Sequence, residues 1–233
     1  PDQLERRAGR IGRVPDAVVQ PASADEAVAL LALAAQHGLT VTPRGGGTSV
    51  VGGLRVADDA RPRIVVDLAR MNRVLSVSAV DRTAVVQAGI TLPALDKALR
   101  PQGFTLGHFP QSYHGVTLGG AVAASGSGQR SDRYGRVSDN IVSTRIGTPQ
   151  GLWSSEANRH ASAGPWLGGL AAGSEGLFGI LTDVTIRLHP VPEHVEDRAF
   201  MFPSFAAASD AVRTLAQAGH GLAMLRVSDE AET

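Results

Sequence analysis

Pro43-Arg44-Gly45-Gly46-Gly47-Thr48-Ser49 follows directly on the short run Leu39 to Thr42. The run reads as a strand, and the heptapeptide as the loop at its C-terminal end. Successive side-chain-poor residues let backbone N–H groups point into one concavity. Such a nest binds anions, and a pyrophosphate fits it. Thr48 and Ser49 add hydroxyl donors, while Arg44 either adds a charge or is simply solvated. Two other phosphate loops are excluded. The G-x-G-x-x-G spacing of a Rossmann turn is missing, no helix pattern follows, and a P-loop would need a lysine. A flexible surface loop is the alternative reading of a glycine triplet.

Working outward, the flanking sequence alternates strand and helix. Arg13 to Gln20 reads as an opening strand. Ser23-Ala24-Asp25-Glu26 is a capping box, and Ala27, Leu30, Leu31, Ala34 and Ala35 form the apolar stripe of the helix it starts. Gly38 supplies the left-handed stop. Ile64 to Leu68 is a continuous apolar run, the mark of a strand buried on both faces. The stretch 13–70 is therefore a small α/β unit with a mostly parallel sheet.

After Met71 the period changes. Val74 to Val80 and Thr83 to Ala88 flank Asp81-Arg82 as a hairpin, which implies antiparallel sheet. Thr91 is placed to cap a helix through Leu99, with Pro93 in its first turn and Gly103 beyond its end. Asn140 to Gly147 and Ile180 to Leu188 read as strands, Pro149-Gln150-Gly151 as a turn, and Trp166 to Ala172 as helical. His189-Pro190-Val191-Pro192 suits an extended boundary. Beyond it, a strand at Ala199 to Phe202, a helix from Ser204 to Ala218 and a strand at Ala223 to Val227 are expected. Such a unit has too little core to stand alone. The fold class is α+β: a small parallel subdomain at about 13–70, a larger antiparallel one at about 71–192, and the start of a further domain at 193–233, cut off at Thr233.

Composition narrows the function. The 22 Lys and Arg balance 22 Asp and Glu, so no broad basic face exists for nucleic acid or an anionic membrane. No apolar run reaches the ~18 residues of a membrane span, and Pro1 to Arg7 lack a signal peptide's apolar stretch. The absence of cysteine excludes disulfides, iron–sulfur ligation and thiol nucleophiles. Lys97 is the only lysine, which argues against Schiff-base chemistry. The 27 glycines point instead to tight backbone around a ligand.

Two further glycine blocks carry that reading. Gly107-His108-Phe109-Pro110-Gln111-Ser112 leads to Thr117-Leu118-Gly119-Gly120 and then to Ala123-Ala124-Ser125-Gly126-Ser127-Gly128. Thr117 can cap a helix whose first turn has almost no side chains, so a flat group can lie on its backbone; tight helix–sheet packing wants the same residues. In Gly173-Ser174-Glu175-Gly176-Leu177-Phe178-Gly179-Ile180, the Glu is either a turn carboxylate or a fixed acceptor for backbone donors.

Together the three blocks resemble the PCMH-type FAD-binding domain of the vanillyl-alcohol oxidase / p-cresol methylhydroxylase superfamily, in order over about Arg13 to Pro192. Gly173 to Ile180 resembles its G-S-E-G-T-L-G-I signature, with Leu177 in place of Thr and Phe178 in place of Leu. Gly107 to Ser112 is most similar to the G-H-x-P-x-S run of the alkyldihydroxyacetonephosphate synthase family, and Tyr134-Gly135 with Asp139 to its Y-G-x-x-x-D. The resemblance implies that FAD pyrophosphate sits on Pro43, Arg44, Gly45, Gly46, Gly47, Thr48 and Ser49. The ribityl and flavin side would meet Gln111, Ser112, Tyr113, His114, Gly115, Val116, Thr117 and Gly120, then Ala124, Ser125, Gly126 and Ser127. Glu175, Gly179 and Ile180 would serve the adenosine half. Members with a flavin bound covalently from this domain carry His in the glycine loop. Thr48 stands there in this chain, so non-covalent FAD is implied.

The implied activity is acyl-for-alkyl exchange of the ether-lipid type on a flavin adduct, by a cytoplasmic or membrane-peripheral enzyme. Its catalytic Tyr and His residues would lie beyond Thr233, so this chain would bind FAD without turnover. A substrate-docking face left open would favour self-association, a homodimer included. An FAD-linked dehydrogenase or oxidase of a 2-hydroxy acid is the second reading, and a non-catalytic nucleotide-binding module the third. His37, His189, His194 and His220 read as solvated; His108 and His114 flank the flavin block. His114 stands where the synthase family tends to have Glu. Asp67 and Asp183 read as strand-end carboxylates. Asp132 and Asp139 form no metal-like cluster with His, and no Ser-His-Asp pattern is present.

Overall fold

The structure is a computed structural model that describes residues 8–9, 14–55, 61–155 and 165–232. Arg13, the expected start of the opening strand, lies outside the described residues. The first unit runs β1 (Ala17–Val19), α1 (Ala24–Gln36), β2 (Thr40–Arg44) and β3 (Arg63–Asp67). Its three strands are parallel in the order β1-β3-β2. The all-apolar centre of β3 is explained by this order, since β3 is the middle strand and each of its residues is buried. β2 is an edge strand. It extends through Pro43 and Arg44, two residues further than expected, because an edge tolerates the missing proline N–H.

Ser23 caps α1 by accepting from the Glu26 N–H at 3.1 Å. The reciprocal half of the box is displaced: the Glu26 carboxylate accepts from the Ala22 N–H at 2.7 Å rather than from Ser23. Leu31 and Ala34 of α1 pack with Ile64, Val66, Leu68, Met71, Ala88 and Ile180. This cluster joins both halves of the chain, so α1 is the shared wall between the two sheets.

The second unit is built from β4 (Val74–Ser78), β5 (Thr83–Gln87), α2 (Leu92–Leu99), β6 (Phe104–Thr105), α3 (Leu118–Ala123), α4 (Ser131–Tyr134), β7 (Ile141–Thr148), β8 (Gly151–Ser154) and β9 (Ile180–Arg187). Its five-stranded sheet is antiparallel throughout, in the order β4-β5-β9-β7-β8. β8 was not expected; four residues after a tight turn carry too little periodicity to read. Leu92, Leu95 and Leu99 of α2 and Leu118, Ala121 and Val122 of α3 close the core with Val86, Val184 and Ile186. Thr91 precedes α2 but makes no side-chain cap. Its backbone forms a bridge to Thr117 instead.

His189–Pro190, expected as an extended boundary, form a short strand, β10, which pairs with β6. Trp166 to Ala172 contains a 3₁₀ turn at Leu167–Ala171 rather than an α-helix. Beyond β10, the expected helix is present as α5 (Phe205–Gln217), capped by the Ser204 side chain. The strands expected at Ala199 to Phe202 and Ala223 to Val227 are not formed. Among the described residues they have no ladder partner, and a pattern suited to a strand becomes one only by pairing. Only Ala208 of α5 is buried. Among the described residues no helix is long and apolar enough to cross a membrane.

Candidate functional site

The glycine loop leaves the C-terminal end of β2 and runs directly onto the second glycine block. A β-carbon on Gly45 would collide with the Thr117 hydroxyl and lie 3.6 Å from the Gly120 Cα; one on Gly46 would collide with the Gly115 carbonyl. Both glycines are thus required by close approach, not by flexibility. Gly47 has φ +66°, the left-handed region that turns the loop. Among the described residues the amides of Gly46, Gly47 and Thr48 donate no hydrogen bond to the protein. Three unspent donors in a row are what an anion nest offers.

Thr117 caps α3 by accepting from the Gly120 N–H at 3.2 Å. Both readings of the small-residue block hold, since Gly119 and Gly120 each line the open cleft. Gly119 donates to the Ala88 carbonyl at 2.7 Å and has no room for a β-carbon against Ala88, so it serves helix–sheet packing. Gly120 faces Gly45 and the open side.

The third block is stitched to the C-terminal end of α3. The Gly173 N–H donates to Val122 O at 3.1 Å, and the Glu175 N–H to Ala123 O at 3.0 Å. Gly176 meets the Pro43 ring, whose Cγ would lie 2.9 Å from a β-carbon there. Glu175 itself has φ +50°, a left-handed backbone on a non-glycine residue.

A cleft of about 750 Å³ opens where the three blocks meet, within the range of small-molecule and cofactor sites. Of the expected site residues, Pro43, Arg44, Gly45, Gly46, Gly47, Thr48, Ser49, Gln111, Ser112, Val116, Gly120, Ala124, Gly126, Ser127, Glu175 and Gly179 line it. Tyr113, His114, Gly115, Thr117, Ser125 and Ile180 do not. Tyr113 packs against Phe109 at a 36° tilt, centroids 4.5 Å apart, and meets His114 edge-on. Gly115 and Thr117 stand behind the glycine loop, Ser125 turns the chain at φ +47°, and Ile180 is core.

Sequence reasoning missed the apolar lip that continues the loop, Val50, Val51 and Leu54, while Phe178, within the third block, also lines the cleft. Their only signal was adjacency to a recognised block. His108 is also in the wall. It is 4% exposed, and neither ring nitrogen has a hydrogen-bond partner among the described residues. Burial pushes its pKa down to about 4, so the ring is neutral. His108 also lines a second cavity of about 110 Å³, beside Asp96, Tyr113 and Arg130. Burial raises the Tyr113 pKa, with the Asp96 charge adding to it.

Charge in the cleft is sparse. Among its lining residues only Arg44 and Glu175 carry a formal charge. Recognition of an anionic ligand therefore rests chiefly on backbone donors. The donor set suits a dinucleotide: free amides for the phosphates, and side-chain-poor backbone for a flat ring. Among the described residues no group of three or more His, Asp or Glu is placed to hold a metal ion.

Comparison with known proteins agrees with this geometry. Residues 15–155 match the model of a family described as FAD binding domain. The chain is 38% identical to an alkyldihydroxyacetonephosphate synthase of Dictyostelium discoideum, over 100% of this chain and 38% of that protein. It is 29% identical to a mitochondrial D-lactate dehydrogenase (cytochrome) of Arabidopsis thaliana, over 94% of this chain and 38% of the other. A solved structure of alkyldihydroxyacetonephosphate synthase superposes with a TM-score of 0.85 at 37% identity, covering 92% of this chain and 39% of that one. The chain spans about two fifths of the length of these relatives.

Proposed function

This chain belongs to the FAD-binding domain family, and from that premise we propose that it is the FAD-binding part of an enzyme resembling alkyldihydroxyacetonephosphate synthase. The observation that carries the reading is the convergence of three sequence-distant glycine blocks on one cleft, with the Gly46, Gly47 and Thr48 amides left undonated. In the proposed complex those amides and Arg44 hold the pyrophosphate. The backbone of Gly120, Ala124 and Gly126 supports the flavin side, and the Glu175 loop the adenosine side.

When bound, FAD supplies an electrophilic ring able to take a substrate's electron pair. The residues of this chain orient it and keep water from its buried edge. Pro43 to Ser49 contain no histidine to which a flavin could be tethered, so binding is non-covalent. Residues 193–233 begin a second domain that completes the substrate pocket, and the catalytic side chains belong to that later part. A substrate that exchanges an acyl for an alkyl group, a homodimer, and a cytoplasmic or membrane-peripheral location complete the proposal.

The test is an absorbance spectrum of the purified protein before and after FAD is supplied. A flavin band that acid denaturation moves fully into the supernatant, identified there as FAD, is expected. A colourless protein that takes up no FAD overturns the reading. Bleaching of the bound flavin by a 2-hydroxy acid would move the function to the dehydrogenase class.

A further inference from the structure

Arg44 and Asp67 occupy paired positions on the parallel strands β2 and β3, so their side chains leave the same face at the same level. The Arg44 guanidinium donates from Nη1 to the Asp67 carboxylate. The other oxygen of that carboxylate accepts from the Ala69 N–H at 3.0 Å, and the Asp67 side chain is only 9% exposed. The acceptor is thus locked. Arg44 is 40% exposed and, among the described residues, makes no other hydrogen bond. Its Nε and Nη2 lie 3.6 and 3.7 Å from where a β-carbon on Gly47 would stand. The remaining edge of the fork is therefore held against the loop that carries the free amides.

We propose that Asp67 is a positioning residue for the dinucleotide. It touches no ligand itself but fixes Arg44 so that the guanidinium and the Gly46 to Thr48 amides form one composite pyrophosphate site. This rests on the FAD reading above. A guanidinium offers donors in a planar fork that matches two phosphate oxygens, whereas a free surface arginine would have to be ordered by the ligand on every binding event. The carboxylate pre-orders it and lowers its net charge. The site then works by aimed hydrogen bonds more than by a long-range field.

The experiment measures FAD dissociation constants by flavin fluorescence for the 233-residue chain and for Arg44→Met, Arg44→Lys, Asp67→Asn and the double variant Arg44→Met/Asp67→Asn. Thermal melting without FAD accompanies each measurement. Arg44→Met and Asp67→Asn are each expected to weaken binding about tenfold, with the double variant no weaker than either single one, because both act through one fork. Arg44→Lys keeps the charge without the fork and is expected to stay within about threefold of Arg44→Met. Losses that multiply in the double variant overturn the proposal, as does unchanged affinity in Arg44→Met or in the double variant, which leaves no unpaired carboxylate at position 67, in protein whose thermal melt matches the wild type. Full rescue by lysine also overturns it. A wild-type chain without FAD affinity overturns the functional reading first, so the two failures are distinguishable.

Discussion

Gly46 lies directly against the backbone carbonyl of Gly115, with Val116 Cα 3.2 Å from where a β-carbon would stand. Two loops 69 residues apart in sequence are in backbone contact there. Gly46→Ala therefore has to push backbone, which does not yield as a side-chain end would. We expect a loss of at least about 2 kcal/mol in urea unfolding, together with loss of FAD uptake. Gly53 lines the same cleft with nothing within 4 Å, so Gly53→Ala should leave stability within about 0.5 kcal/mol. Equal behaviour of the two variants would mean that the loop is not seated as described.

Thr117 combines two duties in one hydroxyl: it caps α3 at Gly120 and fills the space beside Gly45. Thr117→Val keeps the shape and removes the acceptor. The expected cost is about 1 kcal/mol, read from the midpoint of denaturant unfolding, and Thr117→Ser should recover most of it.

His108 is neutral in the fold because burial lowers its pKa to about 4, against about 6.5 in an unfolded chain. Below pH 6.5 the unfolded state takes up a proton that the folded state refuses. The stability His108 permits is therefore intact above about pH 6.5, is lost as pH falls toward 4, and levels off below that. The full span is of order 3 kcal/mol. Unfolding free energies of the wild-type chain and His108→Phe, compared at pH 7 and pH 4.5, should differ in slope by most of this amount. Parallel slopes would place the ring in contact with water.

The Ser23 cap lies at the start of the helix that walls both sheets. Ser23→Ala should cost about 1 kcal/mol. Leu99→Ala, at a fully buried position of the second core, should cost about 3 kcal/mol. Both are measurable by chemical denaturation, and their order should not invert.

Most elements were legible because their signals are local. The Ser23 cap, the stripe on α1, the Gly38 stop and the run at Ile64 all act within a few residues. So does the Thr117 cap. The failures share a cause. Thr91 looks like a cap, yet its backbone is engaged by Thr117, twenty-six residues on. Ala199 to Phe202 and Ala223 to Val227 have the composition of strands but find no partner among the described residues.

The division runs through the site as well. Local chemistry was enough to mark which stretches have backbone free of side chains, and their order along the chain was enough to identify the family. The sequence could not say which glycine serves a ligand and which a neighbour. Gly119 presses on Ala88 and also, with Gly120, lines the cleft; Tyr113 and Ile180 pack against the core while Val50 and Phe178 line the wall. Only the tertiary structure decided these assignments, because contact belongs to pairs of surfaces brought together by packing, and a residue's own type does not encode the surface it will meet.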